Sequence, residues 1–266
     1  MVRLSNYEIK NITLFKKNNM ASAVAEIQPI LEVKKKQNRP LIPLTLAKRE
    51  EKGAILCVPA SVEEYIEYLH KCDYKIQYSR GCIWSFIEID EKTKTIMGEA
   101  APIHEQLVNR LARLFGNFFD ESNSDYKSFG SNIKVYIQRT NGYYNPDMAI
   151  TKGEPLFIKH KADKKSATSL LNPYLIVEVL SKSTEGFDKI NKLADYQKIE
   201  SLEQIIFIEP NFTWVSTFIR QANNKWLNII FENLQDELPI VDRGKIEINA
   251  FYKNLIRLDV SKLETR

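Results

Sequence analysis

Tyr174-Leu175-Ile176-Val177-Glu178-Val179-Leu180 is the stretch on which the fold turns. Its residues are apolar or aromatic except Glu178, so it reads as a strand covered on both faces. A helix is expected from Phe187 to Ile199, and a second buried strand from Gln204 to Ile208. Upstream, Ile133-Lys134-Val135-Tyr136-Ile137 alternates as a strand, and Asn141-Gly142 is a turn signal. Tyr143 to Ile150 then reads as its antiparallel partner. Before these, Pro102 opens an amphipathic helix. Ile103, Leu107, Leu111, Leu114, Phe115 and Phe118 share one face, with Asn109, Arg110, Arg113 and Asn117 opposite. The order from residue 102 is helix, strand, strand, strand, helix, strand. That order predicts the α/β class, a mixed central sheet flanked by helices.

Outside this block, Ser61 and Glu64 form a capping-box pattern opening a helix from Val62 to Lys71. Cys82 to Ile89 and Thr93 to Met97 read as a hairpin turning at Asp90-Glu91-Lys92. Further strands are expected at Trp214 to Ile219 and Trp226 to Phe231. Four of the ten prolines lie in the first 60 residues, beside the run Lys34-Lys35-Lys36. Residues 1–60 carry 11 Lys/Arg against 5 Asp/Glu, a net of +6, whereas residues 61–266 carry 27 against 29, a net of −2. The expectation is a basic N-terminal extension over 1–60 and one α/β domain over 61–266.

Several classes are disfavoured. Hydrophobic residues at 44% and charged residues at 27% describe a globular chain rather than a disordered or collagenous one. No apolar run approaches the ~18 residues of a membrane span. The first residues, Met1-Val2-Arg3-Leu4-Ser5-Asn6, have no export-signal h-region. Cys57, Cys72 and Cys82 make an odd set without a Cys-x-x-Cys spacing, which argues against a disulfide scaffold or zinc knuckle. A reduced, cytoplasmic setting without membrane attachment is expected.

Two acids carry the chemistry. Asp147 follows Pro146 in Asn145-Pro146-Asp147-Met148-Ala149-Ile150, and Glu178 interrupts its apolar strand. A carboxylate in a buried strand costs several kcal/mol unless a cation, donors or a metal compensates it. One such acid reads equally well as a structural ion pair. Two on neighbouring strands favour a shared hard cation such as Mg²⁺. His104 falls inside the apolar arc of its helix, and is either a core histidine bonded to a backbone carbonyl or a donor to the acids. Glu105, at the arc's edge, reads also as an acid placed favourably at a helix N-terminus. Lys152, Lys159, Lys161, Lys164 and Lys165 occupy the polar stretch between the two acids, as a phosphate-tracking or a solvated loop.

Asn145-Pro146-Asp147, Glu178-Val179-Leu180-Ser181-Lys182-Ser183-Thr184 and Phe187-Asp188-Lys189-Ile190-Asn191-Lys192-Leu193-Ala194-Asp195-Tyr196 together resemble the Uma-type restriction endonuclease family. That family belongs to the PD-(D/E)xK nuclease superfamily. Tyr78-Ser79-Arg80-Gly81 and His104-Glu105 resemble family positions as well. The likeness spans roughly residues 61–255. It implies a restriction-endonuclease-like fold, a dimer, and hydrolysis of DNA phosphodiesters with Mg²⁺ or Mn²⁺. Asp147 and Glu178 would ligate the metal, with Glu105 helping. The superfamily's usual lysine, two residues after the strand glutamate, is here Leu180. The resemblance moves it to Lys192 on the following helix, with Lys189 or Lys182 as substitutes. Asp188 and Tyr196 are expected to play supporting roles. The Leu180 departure leaves open an inactive nucleic-acid-binding module or a protein-interaction domain of the same fold. RNA in place of DNA is also open.

Overall fold

The computed structural model describes residues 40–89, 96–98, 102–120, 125–163, 168–181 and 183–255. The chain divides into two units, Met1–Leu41 and Ile42–Arg266, and the following concerns the second. Its first element is helix α1, Leu46–Glu50, capped by Thr45. Strand β1, Ile55–Pro59, pairs antiparallel with β3, Cys82–Phe86. Residues 42–60 are thus grouped with the strands that follow them. Arg49 is fully buried, with its guanidinium donating to the carbonyls of Gly53, Ala54 and Ser85. The contact to Ser85 crosses 36 positions of sequence, so no local pattern announces it.

Helix α2, Val62–Leu69, begins at the expected capping box, with both reciprocal bonds present. Strand β2, Gln77–Ser79, then turns tightly into β3, with Arg80 at φ 51° and Gly81 at φ 77°. Two positive φ angles in a two-residue loop fit the right-handed twist of a hairpin. The strand expected over Cys82 to Ile89 is two, β3 and β4, Glu88–Ile89, and only β4 pairs with β5, Ile96–Gly98, while the turn at 90–92 lies outside the described residues. Helix α3 is Pro102–Asp120. Strand β6, Tyr126–Gly130, has no counterpart in the sequence reading; its Lys127, Ser128 and Gly130 are exposed and blur the alternation.

Strand β7, Lys134–Ile137, pairs with β8, Gly142–Tyr144. The strand expected from Tyr143 to Ile150 is two strands in two sheets, β8 and β9, Met148–Lys152. Pro146 separates them: it offers no amide to a ladder and restricts the residue before it. The polar stretch that follows holds two short strands, β10, Phe157–Ile158, and β11, Ser169–Leu170. Strands β12, Leu175–Val179, and β13, Gln204–Ile208, are parallel and buried along their length. Between them runs helix α4, composed of Glu185–Phe187, a π turn over Asp188–Lys192, and Leu193–Tyr196. Strands β14, Val215–Arg220, and β15, Trp226–Phe231, extend the sheet. Hairpin β16, Glu237–Ile240, with β17, Gly244–Glu247, and helix α5, Ile248–Tyr252, complete the fold.

One sheet runs β1-β3-β2-β8-β7-β11-β10, and the other β15-β14-β13-β12-β9-β6. Strand alternation gives the six-stranded sheet two apolar faces. Leu175, Val177, Val179, Ile206 and Ile208 pack with Leu107, Leu111, Phe115 and Phe119 of α3 and with Phe251 of α5. Ile176, Leu180, Ile205 and Phe207 pack with Phe187 and Tyr196 of α4 and with Val135 and Tyr144 of the seven-stranded sheet. The class is α/β with mixed sheets flanked by helices, as the element order predicts.

Candidate active site

Met148 pairs with Val177 across the β9–β12 ladder, and Ala149 with Ile176. One further step in that register puts Asp147 opposite Glu178. Directly opposed residues of an antiparallel pair leave the same face of the sheet. That face is the one packed against α4, so two acids 31 positions apart (178 − 147) converge where α4 covers the sheet. They line a cleft of about 210 Å³ together with His104, Glu105, Asp188 and Lys192.

Glu178 is 2% exposed. Its Oε1 accepts from Lys192 Nζ at 3.0 Å and from the Tyr196 hydroxyl at 2.7 Å. Burial, augmented by the neighbouring charges of Asp188 and Asp147, pushes its carboxyl up to about 8, against the pull of Lys192 and Tyr196. Lys192 is itself buried, which opposes its charge. The carboxylates of Asp188, 2.9 Å away, Glu178 and Asp147 outweigh that burial and hold the ammonium above the ordinary lysine range. Asp147 accepts the amide of Val179 at 2.7 Å and lies 3.5 Å from His104 Nε2. Burial raises its carboxyl, but His104, Lys192 and the Val179 amide together carry it below the usual carboxylate range. His104 Nε2 also lies 3.1 Å from the carbonyl of Val179. A carbonyl only accepts, so Nε2 carries the hydrogen. The histidine thus joins both readings, bonded to backbone and beside an acid.

The π turn explains why Asp188, Lys192 and Tyr196 all reach one point. A π turn is wider than an α turn and often occurs at functional sites. Asp188 faces Lys192, and both Lys192 and Tyr196 face Glu178. Of the other candidate lysines, Lys189 turns away to Glu185 at 2.6 Å and lies over the Trp214 ring at 4.3 Å. Lys182 falls outside the described residues. Leu180, at the superfamily's usual lysine position, leaves the same face as Glu178 and is 1% exposed in the core beneath α4. Lys192 brings an ammonium beside the strand glutamate from the helix instead.

Glu105 lines the cleft, its side chain 61% exposed and 3.8 Å from His104 Nδ1. Lys152 pairs with Asp242 at 2.9 Å, and Lys159 and Lys161 do not line the cleft. Lys164 and Lys165 lie outside the described residues. A second buried set escaped the sequence reading. The Tyr144 hydroxyl donates to Asp195 at 2.5 Å and lies 2.7 Å from Ser79 Oγ, tying α4 to the β2–β3 hairpin. The motif resemblance at Ser79 was the available signal.

Residues 63–247 match the model of the Uma2 family, described as “Putative restriction endonuclease”. Two proteins of Synechocystis sp. (strain ATCC 27184 / PCC 6803 / Kazusa) are similar in sequence. Uncharacterized protein sll1609 is 30% identical over 159 residues, 57% of this chain and 86% of its own length. Uncharacterized protein slr1290 is 26% identical over 196 residues, 73% of this chain and 92% of its own. Among solved structures, a putative nuclease belonging to DUF820 from Anabaena variabilis superposes with a TM-score of 0.50 at 12% identity. The match covers 70% of this chain and 96% of that one. It speaks for the fold.

Proposed function

The chain belongs to the Uma2 family, described as “Putative restriction endonuclease”, and from that premise we propose a divalent-metal-dependent endonuclease that hydrolyses DNA phosphodiesters. The observation that carries this reading is the opposition of Asp147 and Glu178 across one ladder, with the Lys192 ammonium 3.0 Å from Glu178.

The residues fit a hard cation. Three carboxyls, Asp147, Glu178 and Asp188, surround one lysine, and burial together with the charges of Asp188 and Asp147 raises the Glu178 carboxyl. Among the described residues no group of three or more His, Cys, Asp or Glu side chains is arranged to hold a metal. Asp147 and Glu178 offer the pair of carboxylates through which Mg²⁺ or Mn²⁺ is held with retained waters, the manner Mg²⁺ favours. Bound there by Asp147 and Glu178, the ion would neutralise the phosphate, lower the pKa of the attacking water and stabilise the leaving oxygen. Tyr196 and Lys192 hold Glu178 in place. Lys192, kept charged by Asp188, presents a fixed cation to an arriving phosphate oxygen, where charge develops on phosphoryl transfer. His104 and the Val179 amide orient Asp147. Glu105, exposed at the rim, can hold water on the ion's outer side.

Supercoiled DNA incubated with the full chain should be cut when Mg²⁺ or Mn²⁺ is present and left intact in chelator. Asp147→Ala should abolish cutting. Full activity in that variant would remove the mechanism.

A further inference from the structure

The cleft has a second side that this chemistry leaves unused. Phe86, Gln77 and Asn145 line it, and the strand register explains how they meet. Gln77 pairs with Trp84 in the β2–β3 ladder. Phe86, two positions further along β3, leaves the same face of the sheet as that pair. Gln77 Oε1 accepts the backbone amide of Asn145 at 3.3 Å, which leaves Nε2 as the group that donates. Asn145 stands two residues before Asp147. A ring and two carboxamides are thus set beside the acids. Phe86 is half-buried and brings the one phenyl ring among the described lining residues. Trp84, parallel to within 5° at 6.1 Å, and Phe187, at 4.9 Å, hold that ring in place. A ring fixed in advance loses little freedom when a ligand stacks on it. The acids themselves are recessed, Glu178 being 2% exposed and the Asp147 side chain 18%. A phosphodiester reaches them only with its strand drawn into the cleft. An unpaired nucleotide can follow its phosphate there, whereas a paired one brings a second strand and a stiff double helix with it.

We propose that Phe86 is a stacking platform for an unpaired nucleobase next to the scissile phosphate, with the Gln77 and Asn145 carboxamides bonding to the edge of that base. The substrate is then a single strand, or a duplex opened locally, rather than an intact double helix. Aromatic faces accept every base, and a carboxamide offers a base edge both a donor and an acceptor. Negative supercoiling favours opened segments, so a supercoiled plasmid supplies such strands. The identification of the stacked group as a nucleobase rests on the endonuclease reading above. Phe86 binds the base and touches no reacting atom.

The test is binding without cleavage. In chelator, the full chain is titrated against a fluorescent single-stranded oligodeoxynucleotide, against the same sequence as a duplex, and against a strand of equal length built from abasic sites. The wild type should bind the natural single strand more tightly than either of the others. Stacking contributes ~1–3 kcal/mol per base, so Phe86→Ala and Phe86→Leu should each weaken binding of the natural strand about 5- to 150-fold. Leucine keeps an apolar filler against Phe187, which separates loss of the ring from loss of packing. Phe86→Tyr keeps a ring and should keep the affinity. On the abasic strand all these variants should match the wild type. Wild-type affinity of Phe86→Leu for the natural strand would overturn the proposal. So would an equal loss on the abasic strand, or a wild type that prefers the duplex. A protein that shows the ring-dependent binding yet never cuts in Mg²⁺ would sink the nuclease reading and leave the platform standing. A protein that cuts while Phe86→Leu binds and cuts like the wild type would do the reverse.

Discussion

Replacing Glu178 separates its service to the fold from its service to a metal. Glu178→Ala strands two buried donors, the Lys192 ammonium at 3.0 Å and the Tyr196 hydroxyl at 2.7 Å. A bond from a charged donor is worth ~1.5–3 kcal/mol and one from a neutral donor ~0.5–1.5 kcal/mol, so the expected loss is about 3 kcal/mol. Glu178→Gln keeps an acceptor in the same place and should cost less than about 1 kcal/mol near neutral pH. The pH dependence has a definite sign. In the native protein Glu178 keeps its proton up to about 8, whereas its unshifted value is 4.5. Between those values the unfolded chain binds fewer protons than the native one, so wild-type stability falls as pH rises through that window. Gln has no such proton. The glutamine variant should therefore gain on the wild type steadily from about pH 4.5 to about pH 8, and yet fail to cut DNA in Mg²⁺. Urea unfolding at several pH values, beside plasmid cleavage, reads both quantities. A Gln variant as unstable as the Ala variant, or a gap that does not widen with pH, would refute the reasoning.

Tyr196→Phe removes a donor that favours the ionised form of Glu178. It should cost about 1 kcal/mol of stability and move the metal-dependent rate profile toward higher pH, measured by initial rates across a buffer series; an unmoved profile would deny Tyr196 its role. Arg49→Ala leaves three carbonyls without their donor and should lower stability by ~3 kcal/mol or more, since each bond from a charged donor is worth ~1.5–3 kcal/mol. In the same vein, deleting residues through Leu41 should preserve cooperative unfolding, whereas deleting through Ala60 removes β1 and should abolish it in a circular-dichroism melt.

The strand Tyr174 to Leu180 and the helix after Pro102 were legible because burial imprints a period or an unbroken apolar run on the chain. Ser61 and Glu64 were legible because a cap is made between residues three apart. The division of Tyr143–Ile150 between two sheets was present in Pro146, a signal weaker than the apolar residues around it. Arg49 and β1 were hidden, since what buries them lies beyond the reach of any local period.

Taken alone, the sequence determined the α/β class, the two acids out of place in apolar strands, and the motif resemblance that joins them to Lys192. These follow from side-chain chemistry and short-range spacing, which a linear chain displays. Only the tertiary structure decided that Asp147 and Glu178 leave the same face, and that a π turn brings Asp188, Lys192 and Tyr196 onto that point. Register and helix docking set those distances. Both arise from contacts between residues far apart in sequence, whose free energy is gained only when the whole body packs.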